Sequence, residues 1–188
     1  MAILVTPFIV LAAIGLLLSI IAHGCALLGL PQPLGGAAWG LHIGIFVVWI
    51  PTLILSNRLV RDFKRKDYWM AALRGCPRWM RWMTYGFFWY AIINFVTFIA
   101  AAPPRGAAPN APAPPVVFRG FSGHWMAFYS AALATLYSAA AVSRRDSARR
   151  CPEGHPVSPA AVFCESCGAR IAESDSGEAD EPNPYRDL

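Results

Sequence analysis

The stretch from Arg58 to Arg81 constrains this chain more than any other. It sets Arg58, Arg61, Lys64, Arg65, Lys66, Arg74, Arg78 and Arg81 against only Asp62 and Asp67. On one side of it residues 1–57 contain no Lys, Arg, Asp or Glu, and on the other side residues 82–102 contain none. Long apolar runs around a dense cationic loop are the pattern on which the positive-inside rule acts, because Lys/Arg-rich loops stay on the cytoplasmic side during insertion. The expectation is an all-α membrane protein in which this loop is cytoplasmic. The totals agree, since only 14% of the 188 residues are charged, against about 25% in soluble domains. The formal net charge of +5 is spread unevenly, with the basic residues flanking the apolar runs. Attraction to anionic lipid headgroups accounts for such clusters more economically than nucleic acid does.

Four transmembrane helices are expected, at about 5–28, 37–56, 82–102 and 123–142. The uncharged run from Ile3 to Leu30 exceeds the roughly 20 residues that a helix needs to cross the hydrocarbon core. It lacks the basic start of a signal peptide, and in the lipoprotein-like Ala22-His23-Gly24-Cys25 the histidine fits poorly. On a helical period Ala12, Gly15, Ser19, Ala22, His23 and Ala26 share one face, a seam of small residues open to close helix approach. Prolines and glycines at Pro31 to Gly36 reverse the chain. In the second span, Trp39 sits at the interface, and Pro51 removes the backbone bond to Val47 and is expected to bend the helix. An amphipathic cytoplasmic helix is expected over about 57–74, with Leu59, Phe63, Met70 and Leu73 as its apolar stripe at the headgroup level, ended by Gly75-Cys76-Pro77.

The third span carries Tyr90, Asn94 and Thr97 on one face, and polar groups in hydrocarbon must find partners across the bundle. Residues 103–115 are almost wholly Pro, Ala and Gly, the composition of an extended external spacer. Ser122 is expected to cap the fourth span. There His124, Ala127, Ala131, Ala134 and Ser138 form a small inward face, and Trp125, Phe128, Leu133 and Leu136 lie mostly on the other. Arg144, Arg145, Arg149 and Arg150 follow at once. Four spans, an even number, then leave both termini in the cytoplasm, with only Arg105 and Arg119 outside.

Residues 151–168 read Cys-Pro-Glu-Gly-His, eight residues, then Cys-Glu-Ser-Cys-Gly. Cys151, His155, Cys164 and Cys167 offer three thiolates and an imidazole, the donor set of a closed, structural, tetrahedral zinc site. The two-residue gap lets Cys164 and Cys167 share one ion, and Gly168 permits the left-handed turn. The count of five cysteines is odd, which argues against a secreted disulfide framework. This segment resembles the short zinc-ribbon family, which implies two such knuckles on a small β-hairpin sharing one metal. It departs from the family at Gly154, where a cysteine is expected and His155, one place later, substitutes. The ribbon is placed at 146–171 on the cytoplasmic side, where thiols stay reduced, and an acidic disordered tail at 172–188.

His23, His42 and His124 fall near the opposite, extracytoplasmic face. Ionisable side chains within spans are candidate sites, and imidazoles on neighbouring helices can ligate haem iron or a transition metal. Two functions follow. In the first, no chemistry is performed and the ribbon recruits or senses a protein partner. In the second, the three histidines serve membrane redox chemistry or transport, with Tyr90, Asn94 and Thr97 as the polar path.

Overall fold

The computed structural model describes residues 2–61, 63–100, 115–158 and 161–171. The spacer expected at 103–115, apart from Pro115 itself, and the tail expected at 172–188 lie outside the described residues. The chain divides into two units, 1–142 and 143–188.

In the first unit, α1 (Ala2–Leu27) is followed by a 3-10 turn (Gly35–Trp39) and α2 (Gly40–Val60). A second 3-10 turn (Arg65–Asp67) leads into the short α3 (Tyr68–Ala72), and the long helices α4 (Arg78–Ala100) and α5 (Pro115–Ala148) complete the order. Four helices are long and apolar enough to cross a membrane, over 5–27, 35–60, 78–100 and 116–145. α2 continues through Pro51 without interruption.

α5 is the central helix. About 67% of its apolar stretch is buried within the protein, against 33%, 28% and 17% for the corresponding stretches of α1, α2 and α4. Its start differs from expectation, because Pro115 opens the helix, where a missing N–H costs nothing. Ser122 is therefore an interior residue and not a cap, and its hydroxyl donates to the Phe118 carbonyl one turn back. The two-faced reading of this helix is also corrected. Trp125, Ala132, Ala134 and Leu136 are all fully buried, whereas His124, Ala127 and Ala131 of the expected inward face are only partly so.

The small-residue seam of α1 is its buried face, with Ala12, Ser19, Ala22 and His23 enclosed. Gly15 and Gly44 serve one purpose there. A methyl group at either would collide with the Tyr129 side chain, whose hydroxyl donates to the Leu41 carbonyl at 2.8 Å. Tyr129 of α5 is thus wedged between α1 and α2, where only glycines leave room.

The continuous amphipathic helix expected over 57–74 is absent. α2 ends at Val60, Lys64 is extended (φ −67°, ψ 149°), and helix resumes only at Tyr68. The expected apolar stripe divides accordingly, with Leu59 and Leu73 buried inside the protein and Phe63 and Met70 exposed. Residues 73–77 dock on α5. The Gly75 amide donates to Ser138 Oγ at 2.9 Å, and the Cys76 thiol donates to the Ala134 carbonyl at 3.0 Å. A side chain at Gly75 would meet the Ser138 backbone at 2.6 Å. Leu73, Cys76, Met80 and Ala134 close into a small core, and burial pushes the Cys76 thiol up to about 11 although the Arg81 charge pulls it down.

Replacing Gly15 with Ala should lower stability by about 1–3 kcal/mol, the usual cost of overpacking. On a Tyr129→Ala background the same change should cost almost nothing, because the collision is gone. Thermal unfolding of the four proteins in detergent measures both values, and equal costs in the two backgrounds would show that Tyr129 is not the wedge.

Candidate metal centre

The second unit brings Cys151, His155, Cys164 and Cys167 together. Two tight turns do this, each closed by a glycine in the left-handed region. In the first, Gly154 (φ +83°) donates its amide to the Cys151 carbonyl at 2.8 Å, and the Cys151 amide donates to the His155 carbonyl at 3.0 Å. In the second, Gly168 (φ +69°) donates to the Cys164 carbonyl at 2.8 Å, and the Cys164 amide donates to the Ala169 carbonyl at 2.9 Å. A residue with a Cβ would be strained at either glycine. Each turn is flanked by one antiparallel bridge, Arg150 with Pro156 and Phe163 with Arg170. Among the described residues, the β-hairpin that the zinc-ribbon resemblance implies is represented by these single bridges.

The four donor atoms lie within 4.8 Å of one another. Cys151 Sγ is 3.7 Å from Cys167 Sγ and 3.5 Å from His155 Nδ1. A tetrahedron with metal–sulfur bonds of about 2.3 Å has edges of roughly 3.8 Å, so the donors already stand at metal-ligand spacing. His155 takes the place that the missing cysteine at 154 leaves open. These residues fit a metal ion. Beyond them the unit has little to hold it together, since Cys151, Cys164 and Ile171 are its only buried apolar residues among those described.

Electrostatics favour the ligating form of one thiol. Burial pushes Cys164 up, but the backbone N–H groups of Cys167 and Ser166 outweigh it and bring the thiol down to about 7. The N–H of His155 points in the same way at Cys151 Sγ, at 3.3 Å. All five cysteines are free thiols.

The three histidines of the first unit are placed differently. Among the described residues, the Cys/His group above is the one cluster of three or more potential metal donors. His23 is buried, with Nδ1 2.8 Å from Ser122 Oγ and Nε2 hydrogen-bonded to the Tyr90 hydroxyl. Ser122 gives its own proton to a backbone carbonyl, so its oxygen accepts from His23 Nδ1–H. His42 and His124 do come together, stacked at 6.3 Å between ring centroids, and His42 Nδ1 accepts from the Trp125 indole at 3.1 Å. Ser122 and Trp125 were not legible as partners, because neither is unusual on its own helix.

Of the polar stripe on α4, Tyr90 reaches His23, and Asn94 donates to the Arg119 carbonyl at 2.8 Å. Thr97 donates to the Asn94 carbonyl of its own helix.

No family model, curated protein or solved structure matches this chain.

Changing Cys164 and Cys167 together to Ser should reduce bound metal from one ion per chain to almost none, as read by elemental analysis of the purified protein. Undiminished metal would place the ion elsewhere. Since protons compete with the metal for thiolates, the ion should be retained at neutral pH and released on acidification. Release on raising the pH instead would contradict thiolate ligation.

Proposed function

We propose that this is an integral membrane protein of four spans whose cytoplasmic zinc ribbon recruits or senses a protein partner and performs no chemistry itself. The observation that carries this reading is the closed donor set. Three sulfurs and one nitrogen from the protein, within 4.8 Å of one another, would fill a tetrahedron around one ion and leave no position for water or substrate, as in structural zinc sites. Zinc is favoured over softer or more oxygen-seeking ions by the combination of thiolates and imidazole with four-fold geometry.

The surface of the ribbon supports a docking role. Val162 and Phe163 are adjacent and each 57% exposed, although burying such side chains within the unit would stabilise it. An exposed apolar pair beside the second turn is a natural contact for a partner. The orientation rests on charge. The loop from Arg58 to Arg81 and the run from Arg144 to Arg150 lie on the same side of an even number of spans, while Arg119 lies on the other.

The redox alternative has the His42–His124 stack as its support. A haem or second metal there would give the purified protein a visible absorption band or more than one metal per chain, whereas the ribbon alone gives a colourless preparation with a single ion.

The topology is tested with an impermeant thiol or amine reagent on intact cells, which should leave a tag at the carboxyl end unlabelled until the membrane is opened. Labelling from outside would put the ribbon on the wrong side. The docking role is tested by cross-linking in intact cells. Val162→Ser with Phe163→Ser should lose discrete cross-linked products at unchanged metal content, and an unaltered pattern would show that this pair is not the contact.

A further inference from the structure

At its basic end α4 borders an apolar cleft. A hollow of about 190 Å³ is walled by Trp69 of α3, by Tyr85, Phe88 and Trp89 of α4, and by Ala127 and Ala131 of α5. The two alanines make the hollow, since larger residues there would fill it. Thr84, also on the wall, gives its hydroxyl proton to the Met80 carbonyl. The interior is therefore a surface for hydrocarbon.

Arg81 stands three and four residues before Thr84 and Tyr85, on the same side of the helix and one turn nearer the basic end. Its Nε is buried and has no hydrogen-bond partner among the described residues. A buried donor on a permanent cation is costly when left without an acceptor. Apart from Asp62 and Asp67 in the loop before α3, residues 1–145 contain neither Asp nor Glu, while Arg74 and Arg78 add cations at the same end of α4. Cations outnumber carboxylates at this end, which favours a counter-charge from outside the bundle.

We infer that Arg81 and this cleft form a binding site for one anionic glycerophospholipid, with an acyl chain in the aromatic-walled hollow and the phosphate accepting from the guanidinium. The site rests on the reading of α4 and α5 as membrane spans. Arginine suits it because its planar fork matches phosphate geometry. Basic pockets between helices at one membrane face hold headgroups in this way. Trp69 on α3 is placed to settle at the interfacial level beside the headgroup.

The test uses the full chain in mild detergent, supplied with equimolar phosphatidylglycerol and phosphatidylcholine and read by native mass spectrometry. The wild type should retain one phosphatidylglycerol in about tenfold preference, the order expected for one desolvated charged hydrogen bond. Arg81→Gln should bring the preference close to one, and Arg81→Lys, which keeps the charge, should preserve part of it. Ala131→Phe should abolish retention of both lipids by filling the hollow. Arg58→Gln, on α2 and outside the cleft wall, should change nothing. Equal retention of the two lipids by the wild type would overturn the site. So would full retention by Ala131→Phe, which would mean headgroup attraction alone, or an equal loss in Arg58→Gln, which would mean a diffuse basic surface. Extraction of the chain from membranes by alkaline carbonate is a separate result, which would remove the spanning reading itself.

Discussion

Polar side chains inside an apolar bundle must find their partners within the protein, and here the partners converge on α5. Ser122 receives His23 of α1, the Trp125 indole reaches His42 of α2, and the Tyr129 hydroxyl reaches the Leu41 carbonyl. The Arg119 carbonyl receives Asn94 of α4, and Ser138 with Ala134 receives the turn before α4. Each bond is modest alone, but losing one partner strands the other in an apolar interior, which costs more than the bond contributes. The arrangement is possible because α5 is rich in Ser and Ala, which let the surrounding helices come close. A helix of leucines could be as well buried but could not specify which neighbour meets which residue.

The ribbon solves the opposite problem. It has almost no apolar interior among the described residues, and two glycine-closed turns bring four donors close enough to hold a metal ion in place of a core. Units of so few residues ordinarily need a metal or a disulfide to fold. Four protein donors would make a bound ion a structural element, which is the basis of the proposed recognition role. Val162 and Phe163, just before the second turn, are left exposed.

Much of the helical scaffold could be read from the chain, because uncharged runs of span length leave few alternatives. The metal cluster was legible for a related reason: the spacing Cys-x-x-Cys-Gly and the upstream Cys and His leave little else that those residues could do together. Less was readable where tertiary contact overrides local pattern. The stripe Leu59, Phe63, Met70 and Leu73 has helical spacing, yet Gly75 and Cys76 dock on α5 and take Leu73 with them. Trp125 and Leu136 have the bulk of lipid-facing residues, but both are fully buried against neighbouring elements. Ser122 resembles a cap until the helix is seen to begin at Pro115. His23, His42 and His124 shared an end of the bundle in the sequence, but only their rotational settings show that His23 is committed to Ser122 and Tyr90 while the other two stack.

The decisive quantity is the coordination shell of the ion in the ribbon, because a closed shell is what separates a docking module from a catalytic centre. X-ray absorption at the metal edge of the purified full-length protein measures it directly. A closed site built from Cys151, His155, Cys164 and Cys167 predicts zinc with three sulfurs at about 2.3 Å and one nitrogen at about 2.0–2.1 Å. An oxygen ligand in the shell, or fewer than three sulfurs, would mean an open position and contradict the assignment.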